Sequence, residues 1–328
     1  MKVDELRTAL NKYDTIALKE IIVTLYKKIP KMKREEDGLD ELLQNYSQEK
    51  AKAPMKEQIV DFYTLSANVE QFIEYADQQY YFAPNQYVRK EKRSKWRLEV
   101  KRFIKELLTM RGENGEEAAK LLANIYTMLS YACNYYIFSA DNPFSAVGYK
   151  QTELLRTVIS KIFYNGFDET SVKTAVFLTL DSNVDRETLH SDLLAVLLDI
   201  LKTPESKQLA LTQCTAFYNE YSAFQTEKEF FRYSGDVDRY RKNEHKNYAV
   251  ELYLQLKFGL YEYDEGIAYF WKNFIQRDKE VSLYCLLKYL TAYKLNDLWI
   301  LEYEKACASG TKPRDSLLKD YADKKVKN

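Results

Sequence analysis

The chain has 328 residues, with 49 Lys and Arg against 49 Asp and Glu, so no overall field draws it toward polyanions or membranes and any such attraction has to be local. Its 46% hydrophobic and 30% charged content is that of a folded globular chain and argues against disorder. Only 9 Gly and 6 Pro are present for tight turns, which disfavours β-architectures and open α/β sheets and predicts an all-α protein.

The first residues, MKVDELRTALNKYD, contain no apolar core of signal-peptide length, and no later apolar run is long enough to span a bilayer. A cytoplasmic location without membrane contact is the expectation. Asp14 is placed to cap TIALKEIIVTLYKKI, with Pro30 as its stop. Pro54 opens a long helical segment in which Ile59, Phe62, Tyr63, Phe72 and Ile73 recur at helical spacing. Ser94 is the predicted cap of KWRLEVKRFIKELLTM, whose Trp96, Val100, Phe103 and Leu107 form one apolar stripe. After a turn at Gly112, EEAAKLLANIYTMLSYACNYYIF reads as an interior helix. Tyr131, Tyr135 and Phe138 stand at core or inter-helix positions along it.

The clearest break is SADNPFSAVG, 139–148. It divides the chain into a predicted N-terminal helical domain, 1–138, carrying a basic loop-helix at 87–108, and a C-terminal helical-repeat domain, 149–328. Helices are expected at 149–164, 169–180, 186–201 and 204–224, the last with Thr203 as cap and Pro204 at its first position.

Near the C-terminal end the sequence echoes itself. The register that places Asp264 on Asp297 also places Ile267 on Ile300, Phe270 on Tyr303 and Lys272 on Lys305. Upstream it places Val250 on Leu283 and Tyr253 on Leu286, so the echo covers two helices in each copy, 247–259 with 264–275 and 281–293 with 297–308. A helical hairpin cannot bury both faces alone, and stacked copies bury a continuous core. The pattern resembles tetratricopeptide-type helical repeats, with Gly266 at the small-residue position and Phe270 at the aromatic one. The second copy, ending ACASGTKPRD, is similar also to the pentatricopeptide repeat, with Gly310 and Pro313 in its terminal turn. In that copy Trp299 stands at the small-residue position and Lys294 at the turn glycine. The resemblance implies antiparallel helical hairpins stacked into an α-solenoid-like array, whose concave face holds peptides or single-stranded RNA.

The densest charge lies between Arg89 and Lys105, where nine basic residues stand against two acidic ones. Arg97, Lys101 and Lys105 share one helical face. Arg89, Lys90, Lys92, Arg93, Lys95 and Arg102 complete the set, and the preceding loop adds Tyr80, Tyr81, Phe82 and Tyr87 as stacking surfaces. Cations beside flat apolar rings suit single-stranded nucleic acid or an acidic peptide. The plainer reading is a solvated helix face paired with Asp61, Glu70, Glu74 and Asp77.

Other patterns carry less. In DSNVDRETLHSD, 181–192, Asp181, Asn183 and Asp185 alternate as in a calcium loop, but Arg186 and Asp192 replace the required Gly and Glu, and Asp185 reads as a helix cap. His190 and His245 each lack a second histidine at zinc-ligand spacing. Cys133, Cys214, Cys285 and Cys307 show no paired spacing and read as small buried hydrophobes. With no phosphate loop, GxSxG or HExxH, no cofactor, metal or catalytic residue is expected. The expected function is a non-catalytic scaffold for a protein or peptide segment. Single-stranded nucleic-acid binding through 89–105 is the second reading, and an enzyme with an unrecognised site the third.

Overall fold

The computed structural model describes residues 9–30, 33–34, 39, 43, 61–164, 166–223 and 235–327, which contain fifteen α-helices and no strand. The all-α expectation holds. Two compact units, 1–61 and 62–328, make up the chain. In the first, α1 (Thr15–Lys28) is capped as predicted, Asp14 Oδ1 accepting from the Ala17 N–H at 2.8 Å. Pro54 and Ile59 lie outside the described residues.

The second unit opens with α2 (Phe62–Asp77), whose buried face is Leu65, Val69, Phe72 and Ala76. Tyr63, expected on the apolar face, points outward instead and is 81% exposed. A short α3 (Lys90–Arg93) precedes α4 (Trp96–Thr109), and Ser94 closes α3 where it was expected to cap α4. Lys95 stands in the cap position of α4 and makes no side-chain cap bond. The stripe reads as predicted: α4 buries Trp96, Val100, Phe103, Ile104 and Leu107 and exposes Arg97, Lys101 and Lys105.

A one-turn 3-10 helix starting at Gly112, whose φ of 64° suits glycine, leads into α5 (Gly115–Ala132). Ala118, Leu121, Leu122, Ile125, Tyr126 and Leu129 are all buried, and only a stripe of Glu116, Glu117, Lys120, Asn124 and Thr127 meets water. It packs against α2, α4, α6 (Pro143–Ala146) and α7 (Gln151–Phe163). α5 ends before Phe138 is reached, and that ring instead stacks on Trp96 at 4.0 Å.

Next come α8 (Glu169–Leu180), α9 (His190–Ile200) and α10 (Pro204–Ala223), each packed on sequence neighbours. Thr203 Oγ1 accepts from the Ser206 N–H at 3.2 Å, as its cap position predicts. Asp185 does not start α9. Its N–H donates to Gln151 Oε1 at 2.9 Å, and its carboxylate accepts from Asn142 Nδ2 and the Glu187 N–H. This engagement holds the loop extended, and the helix begins only at His190. The same network satisfies the polar groups embedded in α5: Gln151 donates to the Tyr126 hydroxyl and to the Asn183 carbonyl, and Ser130 Oγ exchanges hydrogen bonds with the Asn183 backbone.

The chain finishes with α11 (Gly235–Phe258), α12 (Tyr263–Asn273), α13 (Lys279–Ala292), α14 (Asn296–Ala308) and α15 (Asp315–Lys327). Ile267, Phe270 and Tyr303 lie in one buried cluster with Val250, Leu283 and Leu286, and Ile300 packs half-buried against it. The turns α11–α12 and α13–α14 have the same geometry. Tyr261 and Lys294 both sit at left-handed φ, 63° and 58°, and the N–H groups of Glu262 and Leu295 return to the Lys257 and Leu290 carbonyls. Gly266 allows a close approach, because a Cβ there would meet Lys257 Cβ at 3.0 Å and push the two helices apart by a few tenths of an ångström.

At the first turn the Lys257 ammonium, 8% exposed, bonds both Glu262 and Glu265, the latter at 2.6 Å. In the register of the echo these three positions become Leu290, inside the core cluster, and Leu295 and Leu298, packed half-buried against it. One hairpin closes its turn with charge and the other with leucine.

Among the cysteines Cys214 is buried and Cys133 and Cys285 are half-buried, but Cys307 is exposed on α14, against the expectation of burial. No described helix is long and apolar enough to cross a membrane.

Two stability measurements test this packing. Phe103→Ala should cost about 3–5 kcal/mol in a denaturant titration, because the ring is 2% exposed and meets Phe72 edge-on. The Glu262→Gln, Glu265→Gln double variant strands a buried ammonium and should cost about 1–3 kcal/mol, below the range for a fully buried pair because both carboxylates reach water. Adding Lys257→Leu should recover most of that loss. A triple variant no more stable than the double would show that the lysine stem, not its charge, is what the turn needs.

Candidate functional site

The nine predicted cations do form one tract, all but Arg93 exposed, running from the loop through α3 into α4. Arg89 precedes α3, Lys90 and Lys92 are exposed on it, and Lys95 lies at the junction. Arg97, Lys101 and Lys105 follow every fourth residue along α4. Among the described residues none of the nine makes an ion pair, so the carboxylates of α2 do not cover them. Glu70 accepts instead from the Ser66 hydroxyl at 3.3 Å.

Arg93 differs from the rest. Half-buried, it donates from Nε to the Val88 carbonyl at 2.9 Å and from Nη2 to the Asn85 carbonyl at 3.4 Å. It therefore braces the loop. Asn85, which no sequence motif singled out, organises the same loop: its Nδ2 donates to the Tyr80 and Ala83 carbonyls, and its Oδ1 accepts from the Tyr87 and Val88 N–H groups. The Arg102 guanidinium lies over the Phe103 ring at 5.0 Å, and the Lys101 ammonium lies 3.3 Å from where a Cβ on Gly148 would be.

The four loop rings divide. Tyr81 is buried against Phe72 and offers no stacking surface. Tyr80 is half-buried beneath Tyr87, 4.6 Å away and nearly parallel, while Tyr87 is 56% exposed. Phe82, also exposed, stacks on Tyr136 at 5.8 Å. Within the cationic row Leu98 is 66% exposed, an aliphatic side chain between Arg97, Lys101 and Arg102.

A second surface is a groove of about 660 Å³ between α12, α14 and the start of α13. Its floor is Glu302, 4% exposed, whose carboxylate accepts from Trp271 Nε1 and Lys305 Nζ, both at 2.7 Å. That carboxylate is already matched by its neighbours.

The fold also brings together the chain's two histidines, His190 at the start of α9 and His245 within α11. His190 stacks on Tyr248 at 3.4 Å, and His245 meets the edge of the same ring at 5.9 Å. His245 Nδ1 donates to the Leu180 carbonyl at 2.9 Å and lies 3.9 Å from Asp181, to which the Tyr221 hydroxyl donates. Among the described residues neither ring nitrogen of His190 has a hydrogen-bond partner. Burial first, and then His245, push its pKa down from 6.5 to about 3; the Thr179 and Leu180 backbone offsets part of this without forming a full hydrogen bond. Among the described residues no group of three His, Cys, Asp or Glu is placed to hold a metal ion.

This histidine has a consequence for stability. Between pH 6.5 and about 3 the unfolded chain binds a proton that the native His190 refuses, so stability present above pH 6.5 is lost as pH falls through that window. The slope should approach about 1.4 kcal/mol per pH unit. Denaturation of His190→Phe followed from pH 7 to 5 should show a shallower fall than the parent chain. Equal slopes would assign the acid sensitivity to other groups.

No protein-family model, no curated protein and no solved structure matches this chain, so the chemistry of these surfaces alone carries their interpretation.

Proposed function

We propose that the chain is a non-catalytic interaction scaffold that holds an acidic protein or peptide segment on the cationic face of α3 and α4. One observation carries this reading: on a chain of zero net charge, the exposed cations from Arg89 to Lys105 have no ion-pair partner among the described residues. Side chains at this density of like charge repel one another along a helix, and an acidic partner removes that repulsion. Exposed Leu98 and Tyr87 give a peptide partner apolar contacts within and beside the row. The repeat reading supports the scaffold role, since the two C-terminal hairpins share turn geometry at matching positions of the sequence echo.

Single-stranded nucleic acid is the second reading, favoured by the exposed rings of Tyr87 and Phe82 beside the cations. A peptide fits better, because aliphatic Leu98 offers no base a stacking partner and Tyr81 is buried. Anisotropy titrations with an acidic, leucine-containing peptide and with an oligonucleotide separate the two. The peptide should keep measurable affinity as salt rises, whereas a nucleic acid held by about six phosphate contacts should lose two to three orders of magnitude between about 50 and 200 mM salt. Arg97→Ala, Lys101→Ala and Lys105→Ala together should weaken binding about 10- to 100-fold, from about 0.5–1 kcal/mol per exposed charge. Arg93 is left intact because it braces the loop. If neither ligand binds at low salt, the tract is a solvated helix face.

A further inference from the structure

At the far end of α4 the structure holds a second cationic feature of a different kind. A cavity of about 410 Å³ is walled by Leu108 and Arg111 on one side and by Arg156, Thr157, Ser160, Lys161 and Tyr164 on the other. Unlike the row on α4, this is an open depression with a partly buried cation in it, and its volume lies in the size range of small-molecule sites.

Its charges do not balance. Lys161 is 8% exposed, and its ammonium donates to the Met110 carbonyl, leaving two N–H donors without a partner among the described residues. Arg111 has no hydrogen bond or ion pair among the described residues and meets only the Tyr164 ring, 5.7 Å from its centroid; Lys161 lies 5.8 Å from the same centroid. Arg156 alone is neutralised, by Asp199 at 2.5 Å. Of the hydroxyls, Thr157 donates to the Glu153 carbonyl, while that of Ser160 has no partner among the described residues. Burial, and after it Arg111, push the Lys161 pKa down, and the charge of a bound anion would oppose that shift.

We propose that this cleft is a binding site for a phosphate group, free or carried as the monoester of a small molecule. Arg111 and Lys161 supply charge-assisted donors to the phosphate oxygens, Ser160 supplies a hydroxyl, and Tyr164 and Leu108 form the apolar wall against which an ester's organic part rests. Lys161 is fixed by its bond to the Met110 carbonyl, so its ordering precedes binding and adds little to its entropy cost. The proposal is independent of the peptide surface, because it uses none of the residues from Arg89 to Lys105.

Calorimetric titration of the full chain with inorganic phosphate and with glycerol phosphate, in chloride buffer near neutral pH, tests it. Saturable binding is expected from at least one of the two, and tighter binding of the ester identifies the monoester as the source. Arg111→Gln should weaken binding by about tenfold or more, with unchanged folding because the guanidinium makes no hydrogen bond among the described residues. Asp199→Asn should strengthen it several-fold by releasing Arg156. The triple Ala variant of Arg97, Lys101 and Lys105 should bind phosphate as the parent does. No saturable binding of either compound, or binding lost in the triple variant and kept in Arg111→Gln, overturns the site.

Discussion

A helix buried over most of its circumference needs several neighbours at once to cover it, and α5 is such a helix, with only a stripe of Glu116, Glu117, Lys120, Asn124 and Thr127 left in water. Enclosing it dictates the placement of α2, α4, α6 and α7, all of which pack on it. The orientation of α4 then follows. With Trp96, Val100, Phe103 and Leu107 committed to the interior, the residues between them are turned outward, and those are Arg97, Lys101 and Lys105. Enclosure also creates a demand, since Tyr126 and Ser130 carry polar atoms into the core. Unpaired, each would cost about 1–3 kcal/mol. Gln151 and Asn183 meet that demand, which is why the 181–189 segment is held across the end of α5 as an ordered loop.

The two C-terminal hairpins show one backbone solution stabilised in two chemical ways. Both turns use a left-handed residue that is not glycine, Tyr261 and Lys294, at a cost of about 1–2 kcal/mol each. The compensating contacts differ. Lys257, Glu262 and Glu265 satisfy one another at the first turn, whereas Leu290, Leu295 and Leu298 join the core at the second. The difference tracks volume: Gly266 lets the helices approach so closely that its neighbour is the Lys257 stem, while Trp299, 1% exposed, fills the same place in the second hairpin. A buried ion cluster and a leucine cluster of similar size are close in stability, so the exchange preserves the turn while erasing the sequence likeness. Lys257 and Leu290 stand at matching positions and share no chemistry.

Periodicity made the helices legible, because the apolar stripe of α4 and the broad apolar face of α5 state their environments in their own residues. Local capping was legible wherever a short side chain had no competing partner, as at Asp14 and Thr203. It failed at Asp185, whose partners Asn142 and Gln151 are far away in the sequence. Tyr63 and Cys307 were misplaced for a related reason: spacing shows that residues share a face, not that the face has a neighbour. For the cationic tract, sequence located the residues, but not that Arg93 braces a loop built around Asn85. The meeting of His190 with His245 and the cleft around Lys161 depend on tertiary contact alone and left no local signal.

Equal numbers of acids and bases do not make a surface neutral everywhere. Elsewhere in the fold the opposite charges find one another: Lys120 with Glu116 and Glu117, Arg314 with Glu280, Lys325 with Glu304. The Arg314 pair is bidentate and holds the start of α15 against α13. Along α3 and α4 the cations instead repeat at spacings of three and four, where like charges destabilise a helix by about 0.2–0.5 kcal/mol per pair. The burial of Trp96 and Phe103 is large enough to override this. Such a face is therefore sustained by the core beneath it while being destabilising in its own right, and any partner that neutralises it gains the repulsion the helix already carries.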